Sequence, residues 1–166
     1  SFSVDSVSWV NTTIITFSSG IGTFYYRDRR VGYPVLTISR SGLTSGTQIE
    51  TITPAALKFT SQPFTVPAGI SSPKILVRAE DADGNTATSW TDTAILSSSS
   101  AGGKFSVLDV PWSDTTILRL SSGQATFYYR DSNSGNPIIT VSRYDLDISD
   151  TQQETITSAP TNANET

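Results

Sequence analysis

Residues 2–40 read FSVDSVSWVNTTIITFSSGIGTFYYRDRRVGYPVLTISR, and residues 105–143 read FSVLDVPWSDTTILRLSSGQATFYYRDSNSGNPIITVSR. At a constant offset of 103 the two stretches are identical at 22 of 39 positions. The match continues after a one-residue insertion, with Thr47-Gln48-Ile49-Glu50-Thr51-Ile52-Thr53 against Thr151-Gln152-Gln153-Glu154-Thr155-Ile156-Thr157. A match this long, nearly gapless and rich in aromatics marks a duplication. Residues 55–104 occur once, between the copies, and nothing like them stands before Ser1. The chain thus reads as a half repeat (1–54), a complete repeat (55–157) and a tail (158–166) of linker composition.

The local pattern predicts strands throughout. Phe2-Ser3-Val4, Ile14 to Phe17, Thr23 to Tyr26 and Val35 to Ile38 are short, β-branched or aromatic, and bounded by Gly, Pro, Asn or Ser. The second copy repeats these runs. The unique middle adds Leu57 to Thr60, Phe64 to Val66, Lys74 to Ala79 and Thr93 to Leu96, and Lys74 to Ala79 alternates polar and apolar as a half-buried strand should. Asp83-Gly84-Asn85, Ser134 to Pro137 and Pro67-Ala68-Gly69 signal turns. No window carries sustained helical spacing. About seven short strands in about 103 residues predict an all-β fold, an immunoglobulin-like β-sandwich of one complete repeat plus a half.

Composition removes much chemistry. The 166 residues hold no Cys, His or Met, while 26 Ser and 24 Thr make nearly a third of the chain. No thiolate nucleophile, disulfide, imidazole ligand or Ser-His-Asp triad can form. The net charge is −4, and Arg27, Arg29 and Arg30, interrupted by Asp28, are the nearest thing to a basic patch, so nucleic acid is not an expected partner. No stretch is apolar enough to insert in a bilayer. Ser1 stands where an initiator Met would, so the chain is expected to be a processed or cut-out segment.

Two stretches carry a family resemblance. Phe59 to Gly69 followed by Glu80-Asp81-Ala82-Asp83-Gly84-Asn85-Thr86-Ala87 resembles the front half of bacterial (Big-type) Ig-like repeats. Ala125 to Asp131, with Gly135, Pro137, Thr140 and Ser142, resembles their back half. Such repeats occur in tandem in secreted or surface-anchored prokaryotic proteins, among them surface-layer proteins, adhesins and stalks of extracellular enzymes. The resemblance implies an extracellular or cell-surface location and a spacer or structural role, and it carries no catalytic residue. Fold likeness alone assigns no task.

Several constellations have a bland and a sharper reading. Asp81, Asp83 and Asn85 place oxygen ligands at alternate positions, as at the start of a calcium loop, but Asp92 stands where an EF-hand needs Glu and strands replace the helices. The bland reading is a tight hairpin turn. Phe24-Tyr25-Tyr26 and Phe127-Tyr128-Tyr129, with Trp9, Trp90 and Trp112, could stack sugars, or could fill the core and pair across strands. Asp145, Asp147 and Asp150 cluster, and two such carboxylates could serve glycoside hydrolysis, yet the first copy has Gly42, Thr44 and Gly46 in this region, which favours a solvated loop. Asn11 and Asn164 fit the N-glycosylation pattern. No catalytic, cofactor or metal residue is assigned.

A half-sandwich leaves an apolar face and strand edges open to water. The first 54 residues are thus expected to be a truncated domain, a minimal closed one, or one completed by a neighbour through β-strand complementation. In the last case copies of the chain self-associate head to tail into a surface filament or layer. The alternatives are an adhesin or carbohydrate-binding module recognising surface glycans, and an accessory spacer of a secreted enzyme.

Overall fold

The computed structural model describes residues 1–159, so Asn164 and most of the predicted tail lie outside the described residues. Fourteen short strands follow one another, with a single 3-10 turn at Tyr144–Leu146. Ten of them build the complete repeat: β5 (Ala56–Phe59), β6 (Thr65–Pro67), β7 (Ile75–Glu80), β8 (Asp92–Ser98), β9 (Gly103–Ser106), β10 (Ile117–Leu120), β11 (Gln124–Asp131), β12 (Ile138–Arg143), β13 (Ile148–Gln153) and β14 (Thr155–Thr157).

They form two antiparallel four-stranded sheets, in the orders β5-β7-β11-β9 and β10-β8-β12-β13. From β8 the chain crosses to the free edge of the first sheet as β9. It then returns to the free edge of the second as β10 before entering the first sheet's interior as β11. A short parallel pair, β6 beside β14, closes one side. Burial alternates along β7, so Ile75, Val77 and Ala79 face inward while Leu76, Arg78 and Glu80 look outward. The inner faces meet in one core of Leu57, Leu96, Leu118, Phe127, Tyr129 and Val141, with their neighbours. The fold is an immunoglobulin-like β-sandwich.

The N-terminal residues add four strands: β1 (Phe2–Ser3), β2 (Tyr25–Tyr26), β3 (Val35–Ile38) and β4 (Gly46–Ile49). They pair only as β1·β2 and β3·β4. The run Ile14 to Phe17, expected as a strand, is irregular apart from a bridge between Ser18 and Ile21. Its counterpart, β10, is a strand because β8 offers it a ladder from Ile95 to Asp92. The sequence runs are alike; the partner is missing.

Residues 29–31 tie the two regions together. The Arg29 guanidinium meets the Asp83 carboxylate at 2.5 Å and donates to the Ala82 carbonyl at 2.8 Å. Ser89 donates to the Val31 carbonyl at 2.9 Å, and Val31 packs against the core.

Candidate functional site: an open half-sandwich

The two copies share the register of their ladders and several side-chain bonds. In β1·β2, Phe2 faces Tyr26 and Ser3 faces Tyr25; in β9·β11, Phe105 faces Tyr129 and Ser106 faces Tyr128. In β3·β4, Val35 faces Ile49; in β12·β13, Ile138 faces Gln153. The bridge Gly32–Ile52 repeats as Gly135–Ile156. Trp9 donates to Asn11 at 2.9 Å and Trp112 to Asp114 at 2.6 Å. Arg27 lies 4.1 Å over the Trp9 ring and Arg130 lies 4.3 Å over Trp112. Tyr26 donates to Asp28 at 2.7 Å and Tyr129 to Asp131 at 2.6 Å. Gln48 donates to Glu50 at 2.5 Å and Gln152 to Glu154 at 2.6 Å.

What differs is the cover. In the complete repeat β5 to β8 close over these groups, and Phe127, Tyr129, Leu120 and Val141 are fully buried. In the first copy no described residue takes that place. Phe17 stays 51% exposed where Leu120 is 0%, and Ile38 stays 42% exposed where Val141 is 0%. Between β1·β2 and β3·β4 lies a cleft of about 750 Å3, walled by Phe2, Ile15, Phe17, Phe24, Leu36 and Ile38. Fully burying a side chain of this size is worth about 1.5–3 kcal/mol, so the open face carries a sizeable driving force for a cover.

The polar groups show the same contrast. Glu154 is fully buried; one oxygen takes the Gln152 amide and the other the Phe64 N–H at 2.8 Å. Burial raises its carboxyl above the ordinary range, against the pull of those two donors. Glu50 has the Gln48 amide, and among the described residues its second oxygen accepts no hydrogen bond. Arg143 donates to the Asp92 carboxylate and to the Thr93 carbonyl, each at 2.7 Å, and also grips Asp145. Its counterpart Arg40 borders the cleft and has Gly42 in place of Asp145, and among the described residues its guanidinium has no hydrogen-bonding partner. Sequence reasoning missed both Glu50 and Arg40. The repeated Gln-x-Glu pair and the repeated Ser-Arg at the end of β3 and β12 were the available signals.

The other candidates scatter into structural roles. Asp81 closes its own loop, taking the N–H groups of Asp83 and Asn85, each at 2.9 Å, around a left-handed Gly84. The Asn85 N–H chiefly holds the Asp81 carboxyl below its ordinary value. Asp83 is taken by Arg29, and among the described residues no three acidic side chains gather as a metal set. Asp145 pairs with Arg143, which holds its carboxyl low. Asp147 ends the 3-10 turn with positive φ, and Asp150 takes the Phe59 N–H at 2.9 Å. The three therefore serve three different elements. Trp90 is buried in the core, and arginines cover Trp9 and Trp112, which leaves Tyr25, 43% exposed, as the open aromatic of the N-terminal FYY run. Asn11 is exposed.

No family model matches the chain, and no curated protein matches it. Among solved structures, it is similar to a β-glycosidase from Bacteroides vulgatus, at 12% identity and a TM-score of 0.50, over 83% of this chain and 19% of that one. It is also similar to domains 4–9 of the surface layer protein SbsC, at 15% identity and a TM-score of 0.47, over 81% of this chain and 19% of that one. For SbsC domains 4 and 5 the figures are 13%, 0.47, 87% and 66%. The chain thus spans about a fifth of the glycosidase and of the six-domain structure. Likeness at this identity is one of fold. No helix among the described residues is long and apolar enough to cross a membrane.

Proposed function

We propose that this chain is a non-catalytic structural module of an extracellular surface assembly, in which the open half-sandwich of residues 1–54 is completed by β-strands from a neighbour. One observation carries the reading: the first copy repeats the ladder register and hydrogen bonds of the second, yet leaves the core side of that framework uncovered. A framework kept intact without its cover is a docking face for strands. A docking face on one module and a closed sandwich beside it make a contact that joins successive subunits, as a filament or layer requires. The carboxylates engaged by Arg29, Arg143, Lys58 and backbone N–H groups act as ties within the fold, in keeping with a load-carrying role.

Concentration-dependent association of the chain, followed by light scattering and negative-stain microscopy, tests the reading. Ile38→Lys, on the cleft wall, is expected to abolish it. A chain that stays a monodisperse monomer at every concentration, with unchanged behaviour in Ile38→Lys, contradicts it. The adhesin reading rests on exposed Tyr25 and predicts glycan binding lost in Tyr25→Ala; the buried Trp90 and the covered Trp9 and Trp112 make it the weaker of the two.

A further inference from the structure

The complete repeat shows what the cleft is shaped to hold. There, Gln124–Phe127 lie antiparallel to Arg78–Ile75, and Ile139–Ser142 lie antiparallel to Ser98–Ile95. The equivalent backbone edges in the first copy are residues 21–24 and 36–39, and among the described residues no second strand flanks them on that side. Two side chains wait at matching places. Glu50 stands where Glu154 accepts the Phe64 N–H, and Arg40 stands where Arg143 binds Asp92. Edge, carboxylate and guanidinium together describe one ligand: an extended segment patterned like residues 55–98, with an acidic residue opening its last strand.

The chain's own front half is already committed: β5, β7 and β8 are paired within the complete repeat, where they cover residues 105–157. We propose that the cleft of residues 1–54 is a receptor for an additional front-half β segment, supplied by a polypeptide region other than the chain's own residues 55–104. The inference rests on the reading of residues 1–54 as a docking face and names its partner. One contact is not reproduced: Gly46 replaces the Asp150 that takes the Phe59 N–H, so the first strand of the occupant is held less firmly than β5.

The test adds a separately made polypeptide of residues 55–104 to the full chain and follows binding by sedimentation velocity and site-resolved hydrogen exchange. A saturable one-to-one complex is expected, with slowed exchange within residues 21–24 and at Thr37 and Ser39, the amides that β4 does not engage. Arg40→Glu should weaken it about tenfold, and Asp92→Arg in the added polypeptide should restore it, as expected for a directly paired charge. Absence of a complex overturns the proposal. So does a complex indifferent to Arg40→Glu, or one in which exchange changes only within 105–157. Slow exchange across 138–143 in each variant shows that the complete sandwich is still folded. If the chain self-associates while the polypeptide neither binds nor dissolves the associate, the docking-face reading stands and this inference falls. If the chain stays monomeric yet binds the polypeptide at residues 21–24 and 36–39, the docking face and this inference stand and assembly from identical copies falls.

Discussion

Each residue of the first copy has a control built into the second, and the pair separates intrinsic chemistry from burial. The Tyr129 hydroxyl donates to the buried Asp131 at 2.6 Å and meets the half-buried Ser98 Oγ at 2.8 Å, and burial raises its phenol well above the ordinary value. Tyr129→Phe leaves a buried carboxylate oxygen unpartnered and should cost about 1–3 kcal/mol in urea unfolding. The same change at Tyr26, on exposed Asp28, should cost under about 0.5 kcal/mol. Gly123 has φ +71, and a Cβ there would meet the Ala87 carbonyl oxygen at 2.5 Å; at Gly20, φ +80, a Cβ would meet nothing. Gly20→Ala should therefore lose about 1–2 kcal/mol from its left-handed backbone alone. Gly123→Ala should lose about 1–3 kcal/mol more from the clash.

Glu154 gives a pH dependence whose sign is fixed by burial. Its folded-state carboxyl titrates above the ordinary value, so between the two values the folded chain binds the proton more readily than the unfolded one. Its contribution to stability therefore declines as pH rises from the ordinary carboxylate value through the raised one. Asp81 and Asp145, held low by the Asn85 N–H and by Arg143, act in the opposite sense, losing their contribution as pH falls. They are common to wild type and Glu154→Gln, so the difference between the two isolates Glu154. The variant should gain on wild type, in urea midpoints, as pH rises from the ordinary carboxylate value through the raised one. A difference that does not vary with pH would show that Glu154 titrates normally.

At the scale of elements, backbone pairing separates what the sequence made legible from what it did not. The sandwich, the alternation of β7 and the Asp81–Asn85 turn were legible because period-2 patterning and Gly at positive φ are local signals. Ile14 to Phe17 was misjudged because strand propensity is realised only against a neighbour. Ile117–Leu120 carries equivalent residues and is a strand beside β8. Arg27 over Trp9, and the separate partners of Asp145, Asp147 and Asp150, were not legible, since each depends on where a distant element passes. Hydrogen exchange should accordingly be slow at Leu118 and Leu120, and near the unstructured rate at Ile15 and Phe17, in the chain alone. Equal protection at both pairs would mean that the first copy is covered in solution.

For the whole molecule, the claim is that one framework occurs twice, once closed and once open. The closed copy supplies its own front half and needs no disulfide, since its two sheets share one core and a hydrogen-bonded Asp150 tie between β13 and β5. The open copy is fastened to it through Arg29, Val31 and the 82–89 loop. The most direct test compares exchange at the equivalent amides that face away from β4 and β13, Thr37 and Ser39 against Thr140 and Ser142, in dilute chain and again with the 55–104 polypeptide present. The account predicts fast exchange at Thr37 and Ser39 and slow exchange at Thr140 and Ser142 in the chain alone, converging once the polypeptide is added. Equal protection of the two sets from the outset, or no change on addition, would contradict it.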